Sequence, residues 1–381
     1  MRHAMRPGTA APARPLAVWA GLCLLVNLPG GGYSWHYFVE GSRALFAGNG
    51  VQPPGGLHLY ADYPNLQIGP VTFLVAQVLR QLGPTNGLLA AQTAMMALGL
   101  LVLHTLHAIL PRLRPDLAGG RARTTLTLSG GAFLVAWASL AVHYAHLDDV
   151  LALTFATLAV RALVDGNPAV AGVCLALAAD AKPWAAVFAP LVLAAPRGTR
   201  RHAAFYLVAG ISAGWLPFVL ADPGTLGAAG FAITNEPSSA LRALGVAAAG
   251  TPAWDRPAQL LLGCALGVLA VRRGRWPAVL LLGVAARLAL DPGVYDYYTA
   301  GALVGTLCWE LLGLRRPTPV WTLGLFSALF LAPRLSTAPA VLGELRLWAL
   351  LLTAAVVLAA PRGWCAQASP ERVVGDVSRV R

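Results

Sequence analysis

The chain has 381 residues, 57% hydrophobic and only 12% charged, with a formal charge of +12. It is too apolar for one soluble core and fits repeated bilayer spans. The positive excess lies in short loops flanking apolar runs, the positive-inside pattern of membrane proteins, which excludes nucleic acid as the partner this charge serves.

A basic start (Arg2, Arg6, Arg14) leads into an apolar run near residues 15–29. No small-x-small cleavage pattern precedes Gly30-Gly31-Gly32, so the run reads as an uncleaved first span. Residues 31–86 form a long first loop. Trp35, Phe38, Val39, Leu45 and Phe46 approximate one apolar face of an amphipathic stretch from Trp35 to Ala47, suited to a helix lying on the membrane. Gly48-Asn49-Gly50 ends it, a Pro53-Pro54-Gly55-Gly56 turn follows, and Leu57 to Pro64 brings Tyr60, Asp62 and Tyr63.

Further apolar runs lie near residues 87–110, 124–143, 149–164, 203–221, 258–271, 277–290, 298–313, 317–333 and 340–360. A broken pair, 168–181 and 183–195, is interrupted at Asp180-Ala181-Lys182-Pro183-Trp184. Each half is shorter than the roughly 20 residues of an untilted span, so the pair is either two tilted spans or a re-entrant hairpin. The expected fold is all-α: a polytopic membrane domain over residues 1–360 with about 10–12 spans, a second long loop at 221–257, and a disordered cytoplasmic tail at 361–381.

Ile68 to Leu82 decides the orientation. It is apolar but carries Pro70, Gln77, Arg80 and Gln81. As an interfacial helix of the first loop, it leaves every Arg cluster (112–123, 197–201, 272–275, 315–316) and both termini on the cytoplasmic side of a bacterial plasma membrane. That side then holds 20 arginines and five carboxylates, and the outer side seven arginines, Lys182 and eleven carboxylates, a split of +15 against −3. The outer loops are therefore chemically equipped.

Cys23, Cys174, Cys264 and Cys308 sit in apolar runs and Cys365 in the tail, so neither a disulfide framework nor a thiolate metal site is expected. No Walker loop, Rossmann glycine pattern, His-Glu-x-x-His or Gly-x-Ser-x-Gly occurs. The outer titratable groups carry the chemistry. His146, Asp148 and Asp149 open a span in a short loop, where ionisable groups are costly unless paired or wetted; loop solvation and the helix macrodipole are the plainer account. Lys182 is the one lysine, and its counter-charge is either Asp180 or an anionic ligand such as phosphate. Asp62, beside Tyr60, and Glu40 can each act as general base if they face a cavity, although Glu40 also suits a solvated helix face. Tyr295 and Asp296 belong to a Tyr/Asp loop that reads as a membrane-interface anchor or as a grip on sugar hydroxyls. His104 and His107 read as packing residues.

In the order of these features the first 200 residues or so resemble the bacterial GT-C-fold membrane glycosyltransferases, particularly the polyprenol-phosphate-mannose-dependent mannosyltransferases. The resemblance rests on the first span and its large outer loop, the aromatic and glycine spacing from Tyr37 to Gly48, Tyr60 to Pro64, His146-Leu147-Asp148-Asp149 and Lys182-Pro183-Trp184. It implies an inverting transfer of a hexose or pentose from a polyprenyl-phosphate donor to an extracytoplasmic glycan or glycolipid acceptor, with no metal and no further cofactor. It also implies a carboxylate base, catalytic Asp62, Asp149 or Asp148, because Tyr33-Ser34-Trp35-His36 after the first span has no Asp or Glu. Lys182, His146, Tyr60, Glu40, Tyr295 and Asp296 would bind substrates. A lipid-sugar transporter using Asp180 and Lys182 as a coupling pair, and an inactive scaffold of the same fold, are the rival expectations.

Overall fold

The computed structural model describes residues 13–47, 55–117, 120–230 and 232–366. The basic N-terminus, the helix end expected at Gly48-Asn49-Gly50, Pro53 and Pro54 of the turn, and the tail beyond 366 lie outside the described residues. Among the described residues the fold is all-helical, and the two β-bridges are isolated.

In chain order the helices are α1 (Ala13–Asn27), α2 (Trp35–Leu45), α3 (Leu59–Asp62), α4 (Pro70–Leu79), α5 (Pro84–Leu113), α6 (Gly120–Ala138), α7 (Leu147–Val164) and α8 (Pro168–Ala181). Then come α9 (Arg200–Ala221), α10 (Ala240–Ala243), α11 (Asp255–Arg272), α12 (Val279–Leu290), α13 (Thr299–Cys308), α14 (Val320–Phe326), α15 (Ala332–Leu335) and α16 (Pro339–Ala359). Pro183–Ala194, between α8 and α9, winds as a 3₁₀ helix. Pro183 and Pro190 each lack an N–H, which favours departure from the α ladder there.

Four helical segments, Pro84–Leu113, Gly120–His143, Arg200–Ala221 and Pro339–Ala359, are long and apolar enough to cross a membrane. α9 shows what surface they present. Only Ala203, Leu207 and Phe218 of its 22 residues are buried, while Phe205, Val208 and Leu220 are exposed. So large an apolar surface is unfavourable in water and matches a hydrocarbon solvent.

Contacts sort the segment ends into two groups. At one end the Arg112 guanidinium meets Asp165, Arg114 donates to the Leu314 and Arg315 carbonyls, and Arg275 donates to those of Val357 and Ala360. Three Arg clusters thus gather at one end, where Arg114 and Arg275 donate to carbonyls at segment ends that lack intrahelical partners. Residues 361–366, placed in a disordered tail by composition, join this end, where Arg315 N–H donates to Trp364 O (2.7 Å) and Ala366 N–H to Gly313 O (2.9 Å). At the opposite end Gly32 N–H donates to His143 O (2.8 Å), Trp35 Nε1 to Asn86 O (2.9 Å) and Glu236 N–H to Pro292 O (2.9 Å).

Packing places the two ambiguous segments of the sequence within the bundle. α4 has ten residues, about 15 Å of helix. It runs from Gly69, bonded to Ala181 O at 3.0 Å, to Leu79, against whose carbonyl Gly87 packs, so both its ends lie at the end opposite the Arg clusters. The broken pair folds back on itself within the bundle. α8 and α9 run parallel, with Gly172 against Ala203, Ala176 against Gly210 and Asp180 against Gly214. The 3₁₀ segment between them must therefore carry the chain back down the bundle, about 24 Å for 12 residues. It does so along α11, Val187 meeting Gly263 and Pro190 meeting Gly267.

Candidate functional site

The end opposite the Arg clusters carries a buried charged cluster assembled from α7, the α8–3₁₀ junction and α12. α6 closes in a wide turn over Ser139–His143, and Ala145 follows with φ +50°, a left-handed conformation costly for a side chain with a Cβ. That reversal puts His146 at the N-cap of α7 and Asp148 and Asp149 in its first turn, where the helix dipole favours carboxylates.

His146 Nδ1 lies 2.5 Å from Asp148 Oδ1 and 3.0 Å from Asp149 Oδ2. Facing only acceptors, Nδ1 carries the proton and donates to Asp148. Tyr297 stacks on the ring (centroids 4.4 Å apart, 26°) and Phe38 of α2 meets it edge-on (5.8 Å, 81°), so its plane is fixed from two sides. Burial disfavours the imidazolium, but the charges of Asp148 and Asp149 and their hydrogen bonds outweigh it and raise the His146 pKa above its ordinary value.

The two aspartates differ. Asp148 is fully buried and fully used: Oδ1 accepts from His146 and from Asp149 N–H (2.9 Å), and Oδ2 accepts from the Lys182 ammonium. Asp149 has one oxygen pinned and one without a well-aligned donor. Oδ1 accepts from Trp184 Nε1 (2.8 Å) and Arg287 Nη1 (3.4 Å), whereas Oδ2 is buried beside His146 Nδ1 (3.0 Å) without a well-aligned hydrogen bond. Arg287 is clamped between the Trp184 ring (4.3 Å) and the Tyr298 ring (4.2 Å), with Nε 3.5 Å from Asp291 Oδ2. Arg256 extends the network to Asp291 at 3.8 Å.

Buried polar atoms without hydrogen bonds concentrate here: Asp149 Oδ2, Arg287 Nε, Asp291 Oδ2, Arg256 Nε and Asp255 Oδ1. Such atoms are rare in folded interiors and mark a place where a polar ligand or water completes the bonding. His146, Asp148 and Asp149 could together offer three ligand atoms to a cation, within 4.8 Å of one another. Lys182 and Arg287 already neutralise those carboxylates, so a metal would have to displace them.

Of the residues singled out by sequence, His146, Asp148, Asp149 and Lys182 come together. Lys182 pairs with Asp148, not with Asp180, whose Oδ1 stays buried without a partner against Gly214. Tyr60 is buried, donates to Ile68 O (2.8 Å) and packs on Trp215 and Phe218, a structural position one layer from Asp180. Asp62 accepts from Gly55 N–H (3.2 Å) within its own loop, and Glu40 is exposed. Tyr295 stacks on Tyr297 (5.3 Å, 24°), and Asp296 pairs with Arg334 at 2.8 Å. Sequence reasoning missed Arg287 and Trp184 as members of the site. The signal for Arg287 was present, since it is the single charge inside the apolar run 277–290, and an ionisable residue at that depth calls for a partner. Comparison with protein-family models, curated proteins and solved structures finds no match to this chain.

Proposed function

We propose that the chain is a GT-C-like integral-membrane glycosyltransferase that moves a mannose-like hexose or a pentose from a polyprenyl-phosphate donor to an extracytoplasmic glycan or glycolipid. In this reading twelve segments cross the bilayer: α1, α5 to α8, the 3₁₀ segment, α9, α11, α12, α13, the α14–α15 unit and α16. The Arg-capped end faces the cytoplasm and the charged cluster faces outward, in line with the positive-inside rule.

The observation that carries the reading is the asymmetry of Asp149, a carboxylate with Oδ1 held by Trp184 and Arg287 and Oδ2 without a well-aligned hydrogen bond, its near neighbour being His146 Nδ1 at 3.0 Å. Pinning fixes its orientation, and because His146 Nδ1 gives its hydrogen bond to Asp148, Oδ2 is available to an acceptor hydroxyl. Asp149 Oδ2 takes the hydroxyl proton as the acceptor oxygen attacks the sugar C1. The C1–O bond to phosphate breaks, and its electron pair leaves with the polyprenyl phosphate, whose charge is met by Lys182 and Arg287.

The test is release of polyprenyl phosphate from polyprenyl-phosphate hexose by the purified chain in nanodiscs, with a mixed envelope-glycolipid fraction as acceptor. Turnover by the wild type and its loss in Asp149→Asn support the reading. Movement of the lipid-linked sugar across proteoliposomes without any transfer would instead establish the transporter, in which Lys182 and its carboxylates couple the motion.

A further inference from the structure

Beside the charged cluster lies a feature that the proposed chemistry does not use. Aromatic rings from three separate segments gather at one surface: Tyr33 and Tyr37 from the start of the first loop, Tyr144 from the α6–α7 turn, and Tyr295 and Tyr297 from the loop before α13. Tyr33 lies 6.0 Å from Tyr144, Tyr144 lies 4.9 Å from Tyr297, and Tyr297 stacks on His146. The outer rings are open, with Tyr33 58%, Tyr37 46% and Tyr295 40% exposed, while Tyr297 beneath them is buried.

An aromatic belt at a membrane interface sets amphipathic rings around the circumference of a bundle. Here Tyr33, Tyr144, Tyr297 and Tyr295 follow one another in ring contact, and charged side chains are interleaved with them. Asp296 is held by Arg334 at 2.8 Å, with both partners partly exposed. The exposed Glu236 reaches the same place, because its N–H is tied to Pro292 O. Burial first, and then the charges of Asp291 and Glu236 and the neighbouring Tyr37, push the Tyr295 pKa up, so its hydroxyl stays protonated and can both donate and accept.

Flat apolar faces edged by carboxylate, guanidinium and phenol groups suit a ligand whose rings are apolar on the face and hydroxylated on the rim. We infer that the Tyr33–Tyr37–Tyr144–Tyr295–Tyr297 surface is a saccharide-binding platform that lays an oligosaccharide along the route to His146 and Asp149. Its role as the acceptor subsite rests on the transferase reading; the binding of sugar does not.

Saturation-transfer NMR on the full chain in nanodiscs, with linear mannotriose and cellotriose as probes, tests it without any turnover. Saturation of at least one trisaccharide is expected, with affinity reduced about tenfold in Tyr33→Ala and in Tyr295→Ala, the loss of one ring face. Tyr295→Phe separates the ring from its hydroxyl, and an unchanged elution profile shows that each variant remains folded. No saturation of either sugar, or equal saturation in the wild type and both alanine variants, overturns the platform, as does an effect of these variants on vesicle partition alone. Sugar binding with no transfer activity leaves the platform standing and removes the transferase.

Discussion

Lys182 donates to Asp148, 34 positions before it in the chain, and not to Asp180 two positions away. The α8–3₁₀ hairpin is thereby tied to the N-terminus of α7 by its charged groups as well as by packing. Asp148 is fully buried, so neither partner can lose the other without leaving a charge stranded in a medium that solvates it poorly.

A double-mutant cycle measures that tie. Lys182→Met alone and Asp148→Asn alone should each lower stability by about 3–5 kcal/mol, and the double variant should recover a large part of the loss. Thermal unfolding in detergent provides the readout. Additive losses would show that the pair is not coupled.

The two aspartates should separate in activity. Asp149→Asn removes the proposed base and should reduce the proposed transfer by about 10²–10⁴-fold with expression intact. Asp62→Asn, whose carboxylate is engaged with Gly55 in its own loop, should retain most of it. Equal loss in both variants would return Asp62 to the reaction centre.

Stability should fall with rising pH through the titration of His146. Its pKa is raised in the folded state, so the imidazolium–carboxylate contribution is fully present below the unfolded value of about 6.5 and is lost as pH climbs through the higher folded value. The apparent melting temperature between pH 5.5 and 8.5 should slope downward in the wild type. His146→Gln should flatten that slope, and a slope unchanged by the substitution would assign it to another group.

Ala145 holds a left-handed conformation immediately before His146. Ala145→Gly relieves that strain and should stabilise the fold by about 0.5–1 kcal/mol, the αL penalty less the entropy glycine loses on folding. A destabilised variant would mean that the Ala145 methyl, which is buried, contributes more by packing than its backbone loses by strain.

Orientation is open to direct measurement. In a cysteine-free background, single cysteines at Gly198 and Gly274 should react with a membrane-impermeant maleimide only after the membrane is opened. Cysteines at Gly245 and Tyr295 should react in intact cells. The reverse labelling pattern would invert the proposed topology and place the charged cluster inside.

Composition and charge periodicity alone pointed to an all-helical, membrane-like chain whose loop arginines fall in clusters. These properties are legible because a bilayer imposes length, apolarity and loop charge on each segment separately. They also marked His146, Asp148, Asp149 and Lys182 as chemically costly where they stand. What the linear chain left open was pairing. Whether Lys182 answers Asp180 or another anion depended on how α8 packs against α7. That Arg287 joins Asp149 from 138 positions away depended on α12 lying beside both. Electrostatic partnership at 3 Å follows from tertiary contact, and no local pattern encodes it. The same holds for Asp62 and Asp149, two carboxylates of the same chemical type. Packing set Asp149 among His146, Trp184 and Arg287 and gave Asp62 a backbone donor within its own loop.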